Sequence, residues 1–206
     1  MNSDGTGVVR CTTNSVVDTT LTYSPDGTKI IFARPYSGPE AGLYIMDADC
    51  ANPQNPLTPQ KIPHTGGGDD SPNWLPCGKI VYACGPDTNH YDICVINADG
   101  SGGEQLTNTP EVERAPIWSP DCSQIAFTFP GPSNKQELYV MNADGSDPRR
   151  LTFAGRYNAT PTWSPSNNKI AFAGWIDQVF DIFTMNPDGT NPRKLLGGVP
   201  PVDWAN

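Results

Sequence analysis

Apolar residues fall along this chain in short runs, and no segment carries a convincing 3.6-residue period. One set of runs reads Lys29-Ile-Ile-Phe-Ala, Lys79-Ile-Val-Tyr-Ala, Gln124-Ile-Ala-Phe-Thr and Lys169-Ile-Ala-Phe-Ala. A second set reads Leu43-Tyr-Ile-Met, Ile93-Cys-Val-Ile, Leu138-Tyr-Val-Met and Ile182-Phe-Thr-Met. Short β-branched and aromatic runs bounded by Pro, Asn, Asp and Gly predict strands, and the missing helical period predicts very little helix. Asp99-Gly100, Asp144-Gly145 and Asp188-Gly189 follow the second set. Asp-Gly between apolar runs signals a hairpin, because Gly tolerates the positive φ that such turns need.

The runs are periodic. Tyr23-Ser-Pro-Asp-Gly, Trp74-Leu-Pro-Cys-Gly, Trp118-Ser-Pro-Asp-Cys, Trp163-Ser-Pro-Ser-Asn and Trp204-Ala-Asn align in one register, with steps of 51, 44, 45 and 41 residues. A second register, at Met1, Met46, Ile96, Met141 and Met185, steps by 45, 50, 45 and 44. Each period holds four short strands: one ending at the aromatic anchor, the two apolar runs, and a last one ending in Leu-Thr or its equivalent. A four-stranded antiparallel unit repeated every ~40–50 residues predicts an all-β fold, a β-propeller.

The repeated string W-S-P-D-G-x-K-I-A-F, followed by x-Y-V-M-N-x-D-G-x-x-x-R-x-L-T, resembles the TolB-type β-propeller repeat family. The resemblance covers the whole chain, with departures at Cys50, Cys77 and Asn168. It implies the fold more sharply than the function, because the motif residues are structural. The anchoring Trp residues are expected to pack between neighbouring sheets, as are Tyr44, Cys94, Tyr139 and Phe183 on the third strands. Burying one such aromatic contributes roughly 1.5–3 kcal/mol.

Read in this register, residues 1–206 form one propeller domain with four complete blades, at about 18–58, 69–107, 113–152 and 158–196. Residues 1–12 read as the end of a third strand plus a fourth strand, and 199–206 as a first strand. Together they would make an incomplete fifth blade. Three arrangements fit: part of a longer propeller, a compact ring with a rudimentary fifth blade, or an assembly completed by another copy. Open blade edges and an uncovered apolar face would favour a homo-oligomer in the last case.

Composition narrows the chemistry. A net charge of -9 excludes the basic footprint of a nucleic-acid binder. No apolar run approaches the ~20 residues of a membrane-spanning helix. The most patterned polar feature lies three residues before the Pro of P-x-W, where Asp69, Glu113 and Asn158 stand; Asp18 takes that place in the first blade, whose Pro is replaced by Leu21, and Val199 takes it at the end of the chain. First strands line a propeller axis, so these groups are candidate ligand-binding residues at the channel mouth, suited to a cation or a basic peptide. The competing reading is that each caps backbone N–H groups in its own loop.

Other signals are weaker. Asp47-Ala-Asp49, Asn97-Ala-Asp99 and Asn142-Ala-Asp144 suggest calcium loops but lack the remaining ligands, so hairpin turns are expected. His64 and His90 have no partner motif, and no nucleophile elbow or phosphate loop occurs; no catalytic residue, metal or cofactor is expected. Gly66-Gly67-Gly68 reads as a loop, and Tyr36, Tyr157 and Trp175 as loop aromatics. Asn158-Ala-Thr160 matches a glycosylation sequon. Among the six cysteines, Cys84 and Cys94 fall across one hairpin, Cys77 and Cys122 in equivalent turns of adjacent blades, and Cys11 where Leu106 and Leu151 stand, as a buried small hydrophobe. None forms C-x-x-C, and the pairing stays open.

The role expected from the resemblance is non-enzymatic binding of a protein or peptide on one propeller face, in the periplasm or outside the cell. Two other roles fit the same resemblance: the gating propeller of a prolyl-oligopeptidase-like peptidase whose catalytic domain is absent from this chain, and a glycan-binding propeller.

Overall fold

The computed structural model describes residues 6–8, 10–12, 16–34, 38–49, 59–63, 65, 67–87, 89–131, 135–153, 157–176 and 179–195. These form sixteen strands, with no helix among the described residues. In the first sheet β1 is Thr19–Tyr23, β2 Lys29–Arg34, β3 Gly42–Asp47 and β4 Gln60–Lys61. The second holds β5 (Asp70–Trp74), β6 (Ile80–Asp87), β7 (His90–Ile96) and β8 (Glu104–Gln105). The third holds β9 (Arg114–Trp118), β10 (Gln124–Pro130), β11 (Gln136–Asn142) and β12 (Arg149–Arg150). The fourth holds β13 (Asn158–Trp163), β14 (Ile170–Ile176), β15 (Val179–Met185) and β16 (Arg193–Lys194). Every sheet is an antiparallel meander in chain order.

Successive sheets stack through the apolar runs, because alternate residues of a strand point to opposite faces. In β10, Ile125 and Phe127 face the second sheet with Trp118 and Met141, against Val81, Ile93 and Val95. Ala126 faces the other way, joining Leu138, Val140 and Leu151 against Trp163, Phe172 and Phe183 of the fourth sheet. Trp74 packs similarly against Ile31, Leu43 and Ile62 of the first. Trp74, Trp118 and Trp163 are therefore inter-sheet wedges, and Trp118 also donates Nε1–H to the Lys79 carbonyl at 3.1 Å. Tyr139, Cys94 and Phe183 lie in the same inter-sheet clusters, while Tyr44 packs with Phe32 and Met46 on the first sheet's other flank.

First strands touch first strands, β1 with β5, β5 with β9 and β9 with β13, which sets them around a common axis. The four sheets are blades of a β-propeller. The axial strands are not regular. Their registers slip at one point in every blade, where Thr20, Ser71, Ala115 and Thr160 adopt φ of 37°, 51°, 50° and 49°. Left-handed backbone at Thr is strained, and its recurrence at one position in every blade makes it a designed bulge.

Three expectations change. The fourth strand of the first blade is Gln60–Lys61, beyond the Leu57-Thr58 end read from the sequence, which lies outside the described residues. Ile62, 1% exposed, takes the place of Leu106 and Leu151: its N–H donates to Leu43 O, as theirs do to Ile93 O and Leu138 O, each at 2.8 Å. Cys11 is not a buried thiol; it is half-buried and disulfide-bonded. Of the incomplete fifth blade expected over 1–12 and 199–206, residues 6–8 and 10–12 are described and carry no strand, and the rest lies outside the described residues, as do Cys50, His64 and Tyr36.

Candidate functional site

Antiparallel order divides the propeller into two faces. Connections β1–β2 and β3–β4, with their counterparts, lie on one side; β2–β3 and the crossings to the next blade lie on the other. We call them the turn face and the loop face.

On the turn face the aspartates close their own turns. Asp26 Oδ1 accepts from Ser24 Oγ (2.6 Å) and Thr28 N (3.0 Å), and Asp121 Oδ1 from Ser119 Oγ (2.6 Å) and Ser123 N (3.1 Å). The Asp-Gly hairpins repeat the scheme. Asp99 accepts from Ser101 N, Asp144 from Ser146 N and Asp188 from Thr190 N, each at 2.9 Å. Gly145 follows at φ +82°, and a Cβ there would meet the Leu106 carbonyl of the preceding blade at 2.8 Å. These are hairpin turns, and no group of three or more His, Cys, Asp or Glu among the described residues is placed to hold a metal ion. Donors aimed at a carboxylate favour its charged form. The Ser24 hydroxyl, first among the donors, holds Asp26 down at about 2, and the Ser101, Ser119, Ser146 and Thr190 hydroxyls lower Asp99, Asp121, Asp144 and Asp188.

Cys77 and Cys122 form a disulfide that ties the first turns of the second and third blades, with Cα atoms 5.3 Å apart. Between the first and second blades no such tie crosses, and a groove of about 500 Å³ opens among Pro25, Ile45, Trp74, Pro76 and Ala98.

On the loop face stand the four residues singled out from the sequence. All precede or begin the axial strands, and all have partners within the fold. Asp18 accepts from Arg34 Nε at 2.7 Å, while that guanidinium lies 3.9 Å from the centre of the Tyr44 ring. Asp69, 4% exposed, accepts from Gly85 N at 3.2 Å. Glu113, 1% exposed, accepts from the Thr107 hydroxyl and from Thr109 Oγ1 at 3.1 Å. Burial raises the Glu113 carboxyl, with the two hydroxyls only partly offsetting it. Asn158, fully buried, donates to Glu137 Oε2 at 2.8 Å and to Thr152 Oγ1 at 3.3 Å. Glu137 in turn takes Arg150 Nη2 at 2.9 Å.

A common construction underlies these contacts. In the first three blades a Thr shortly after the fourth strand accepts the N–H of a third-strand residue: Thr65 from Leu43 (3.0 Å), Thr107 from Ile93 (2.8 Å), Thr152 from Leu138 (3.0 Å). Thr107 and Thr152 then meet Glu113 and Asn158, which latch the outer strand of one blade to the axial strand of the next. Buried Asn158 also leaves the sequon without an accessible acceptor in the folded chain.

The sequence reading passed over the residues that reach the axial surface. Asp70, beside buried Asp69, accepts from Thr20 Oγ1 of the neighbouring blade at 2.5 Å and from Ser71 N at 2.7 Å. Arg114, exposed at the equivalent strand start, lies 4.7 Å over the Tyr91 ring. Thr20 and Thr160 are exposed on the bulges. The visible signal was the Asp69-Asp70 pair, whose second member aligns with Arg114 and Ala159; the bulge that turns Thr20 towards it leaves no mark in composition.

A family model of the TolB β-propeller domain matches residues 58–199. The chain is similar to the protein TolB homolog of Chlorobium luteolum (strain DSM 273 / BCRC 81028 / 2530), 32% identical over 126 residues, 60% of this chain and 26% of that protein. Among solved structures it is similar to the putative TolB from Agrobacterium tumefaciens, with TM-score 0.71 and 20% identity over 86% of this chain and 64% of that one. TolB from Acinetobacter baumannii superposes with TM-score 0.70 and 19% identity, over 94% and 47%. At these identities the structural likeness is one of fold, and the chain spans about a quarter of the curated relative's length.

Proposed function

This chain belongs to the TolB β-propeller domain family, and we propose that it is a non-enzymatic binding module that takes a protein or peptide partner on its loop face. The observation that carries the reading is the axial patch of Thr20, Asp70, Arg114 and Thr160. Its strands are bulged and strained at one recurrent position, and its polar groups reach the surface. On the turn face the aspartates close turns, and the groove between the first two blades is lined mainly by apolar residues. Strain at a repeated surface position is what a binding surface tolerates and a purely structural strand does not need. Half-buried Asp18 and buried Asp69, Glu113 and Asn158 support this surface by fixing the strand starts. The net charge of -9 favours a partner with a basic segment.

The compartment follows from the cysteines. Cys77–Cys122 and Cys84–Cys94 are disulfides, and no cysteine among the described residues is free. Such bonds persist in oxidising surroundings, so the periplasm or the cell exterior is the proposed location.

Peptides selected from a displayed random library on the immobilised chain, then titrated by calorimetry, test the reading. Asp70→Asn with Arg114→Ala should weaken the selected peptides by about tenfold or more, the loss of roughly 1.4 kcal/mol or more. Asp121→Asn on the turn face should leave them unchanged. Peptides indifferent to the axial pair, or peptides cleaved by the purified chain, would overturn it.

A further inference from the structure

On the turn face, the third and fourth residues of the first turns join neighbouring blades at two of the three junctions. The third residues are Asp26, Cys77, Asp121 and Ser166, and the fourth are Gly27, Gly78, Cys122 and Asn167. Cys77 of the second blade is bonded to Cys122 of the third. Asp121 of the third blade accepts, on Oδ2, from Asn167 Nδ2 of the fourth at 2.7 Å. Between the first and second blades the same pairing falls on Asp26 and Gly78, and Gly78 has no side chain to offer. A Cβ built there, at φ +85°, meets nothing within 4 Å. Among the described residues, the side-chain and amide donors to Asp26 are Ser24 and Thr28 of its own turn, all on Oδ1. The groove of about 500 Å³ lies at this open junction. Trp74 in its wall is half-buried, whereas Trp118 and Trp163 are 5% and 7% exposed. Trp118 gives its indole N–H to Lys79 O, and the Trp163 N–H is buried without an acceptor. The Trp74 N–H also has no acceptor among the described residues, but its ring borders the open groove.

We propose that this groove is a second binding site, independent of the loop face, for an arginine-bearing, proline-rich segment of a partner protein. Pro25, Pro76 and the Trp74 ring, with Ile45 and Ala98, give apolar walls on which pyrrolidine rings can lie. The lining residues stand in turns, at strand ends or on the central strand β3, so no sheet edge runs along the groove. A peptide cannot add here as a further strand. Side chains must hold it, which favours an extended segment preordered by proline, whose solvated carbonyls are free to accept the Trp74 N–H. Its arginine supplies to Asp26 the donor that Asn167 supplies to Asp121, and the guanidinium fork matches a carboxylate better than an ammonium does. Charge agrees: Lys29, the cation lining the groove, is engaged by Asp47, and the net charge of -9 attracts a basic segment.

The blocked peptide Pro-Pro-Arg-Pro-Pro, titrated into the full chain by calorimetry, tests the site. Its binding should weaken about tenfold or more when citrulline replaces the arginine, and as much in Asp26→Asn. Gly78→Asn should weaken it equally with the melting transition retained, because an amide there closes on Asp26 as Asn167 closes on Asp121. Cys122 and Asn167 already hold this turn position at φ of 61° and 59°. Asp70→Asn with Arg114→Ala should leave this peptide's affinity unchanged, so the groove and the loop face fail or stand separately. Selecting loop-face peptides on the Gly78→Asn chain keeps the two apart in the same way. No binding, equal affinity for the arginine and citrulline peptides, or full affinity in Gly78→Asn would overturn the proposal. So would methylguanidine binding as tightly as the peptide, which gives the groove to a small cation, or a dimer in light scattering that Gly78→Asn dissociates, which gives it to a second copy.

Discussion

The turn face and the loop face use carboxylates in opposite ways. On the turn face Asp26, Asp99, Asp121, Asp144 and Asp188 stand in solvent, and the hydroxyls and amides around them favour the charged form. On the loop face Glu113 and Glu137 are removed from water, 1% and 0% exposed, and hold blades together, Glu113 through Thr107 of the preceding blade and Glu137 through Asn158 of the next. The first kind of carboxylate shapes one turn and can be lost locally. The second kind joins strands of two blades, so its loss leaves several buried polar atoms unmatched. One repeat thus carries a face of turns that close mainly on themselves, joined across blades by Cys77–Cys122 and by Asn167 Nδ2 donating to Asp121 Oδ2 at 2.7 Å, and a face of buried latches that borders the axial patch.

The sharpest way to break this comparison is Glu137→Ala. It would leave Arg150, Thr152 and Asn158 without their acceptor in a site where the carboxylate has no exposure. Removing one partner of a buried pair costs about 3–5 kcal/mol, which for a chain of this length lowers Tm by roughly 6–20 °C. Calorimetric melts measure it directly, and a loss no larger than that of an exposed turn Asp would erase the distinction between the faces.

The buried acid should also carry a pH signature. Because burial raises Glu113, the unfolded chain ionises at that residue before the folded one does. Its effect on stability is nil below the ordinary glutamate range, and stability declines as pH rises from there through the raised folded value. Glu113→Gln keeps an acceptor for the Thr hydroxyls and removes that decline. The variant should match the parent near pH 4 and exceed it in urea midpoint at pH 7–8. A variant less stable at every pH would show that the ionised carboxylate is needed by its Thr partners.

Much of this was legible beforehand, for a physical reason. Strand identity and blade number rest on local signals, such as the Trp before Ser-Pro and the Asp-Gly after each third run, and the period repeats them until chance is excluded. The blade boundary at Ile62 was missed because Leu57-Thr58 offers the same pair of residue types five positions earlier, and only the hydrogen bond to Leu43 decides between them. The repeat register picked out Asp18, Asp69, Glu113 and Asn158 as candidate binding residues, and each has a partner within the fold, because periodicity marks where a residue stands and not whether water reaches it. Half-buried Asp70 and buried Asp69 differ by one step at the start of a bulged strand.

The smallest effect, and the one that most sharpens the contrast, concerns the turn aspartates. Their folded values lie below the ordinary 3.8, with Asp26 at about 2. Stability from such groups is fully present above about pH 4 and is lost as pH falls through the folded values, the reverse of Glu113. The fourth blade supplies an internal control: its first turn, Ser164 to Asn168, has no aspartate, and Asn168 Oδ1 accepts from Ser164 Oγ at 3.0 Å and Ser166 Oγ at 2.9 Å. This turn therefore closes without a charge, with Ser166 at the aspartate position and the Asn168 amide oxygen as acceptor. Replacing Asp26 and Asp121 with Asn should leave the neutral-pH Tm nearly unchanged and flatten the fall in Tm between pH 4 and pH 2. Adding Asp99→Asn, Asp144→Asn and Asp188→Asn should flatten it further, roughly in proportion, because these hairpin turns lie in different blades and distant sites add. An acid slope that stays as steep in the five-fold variant would mean that the turns do not carry it, and that the acid sensitivity of this propeller resides in the buried latches of the other face.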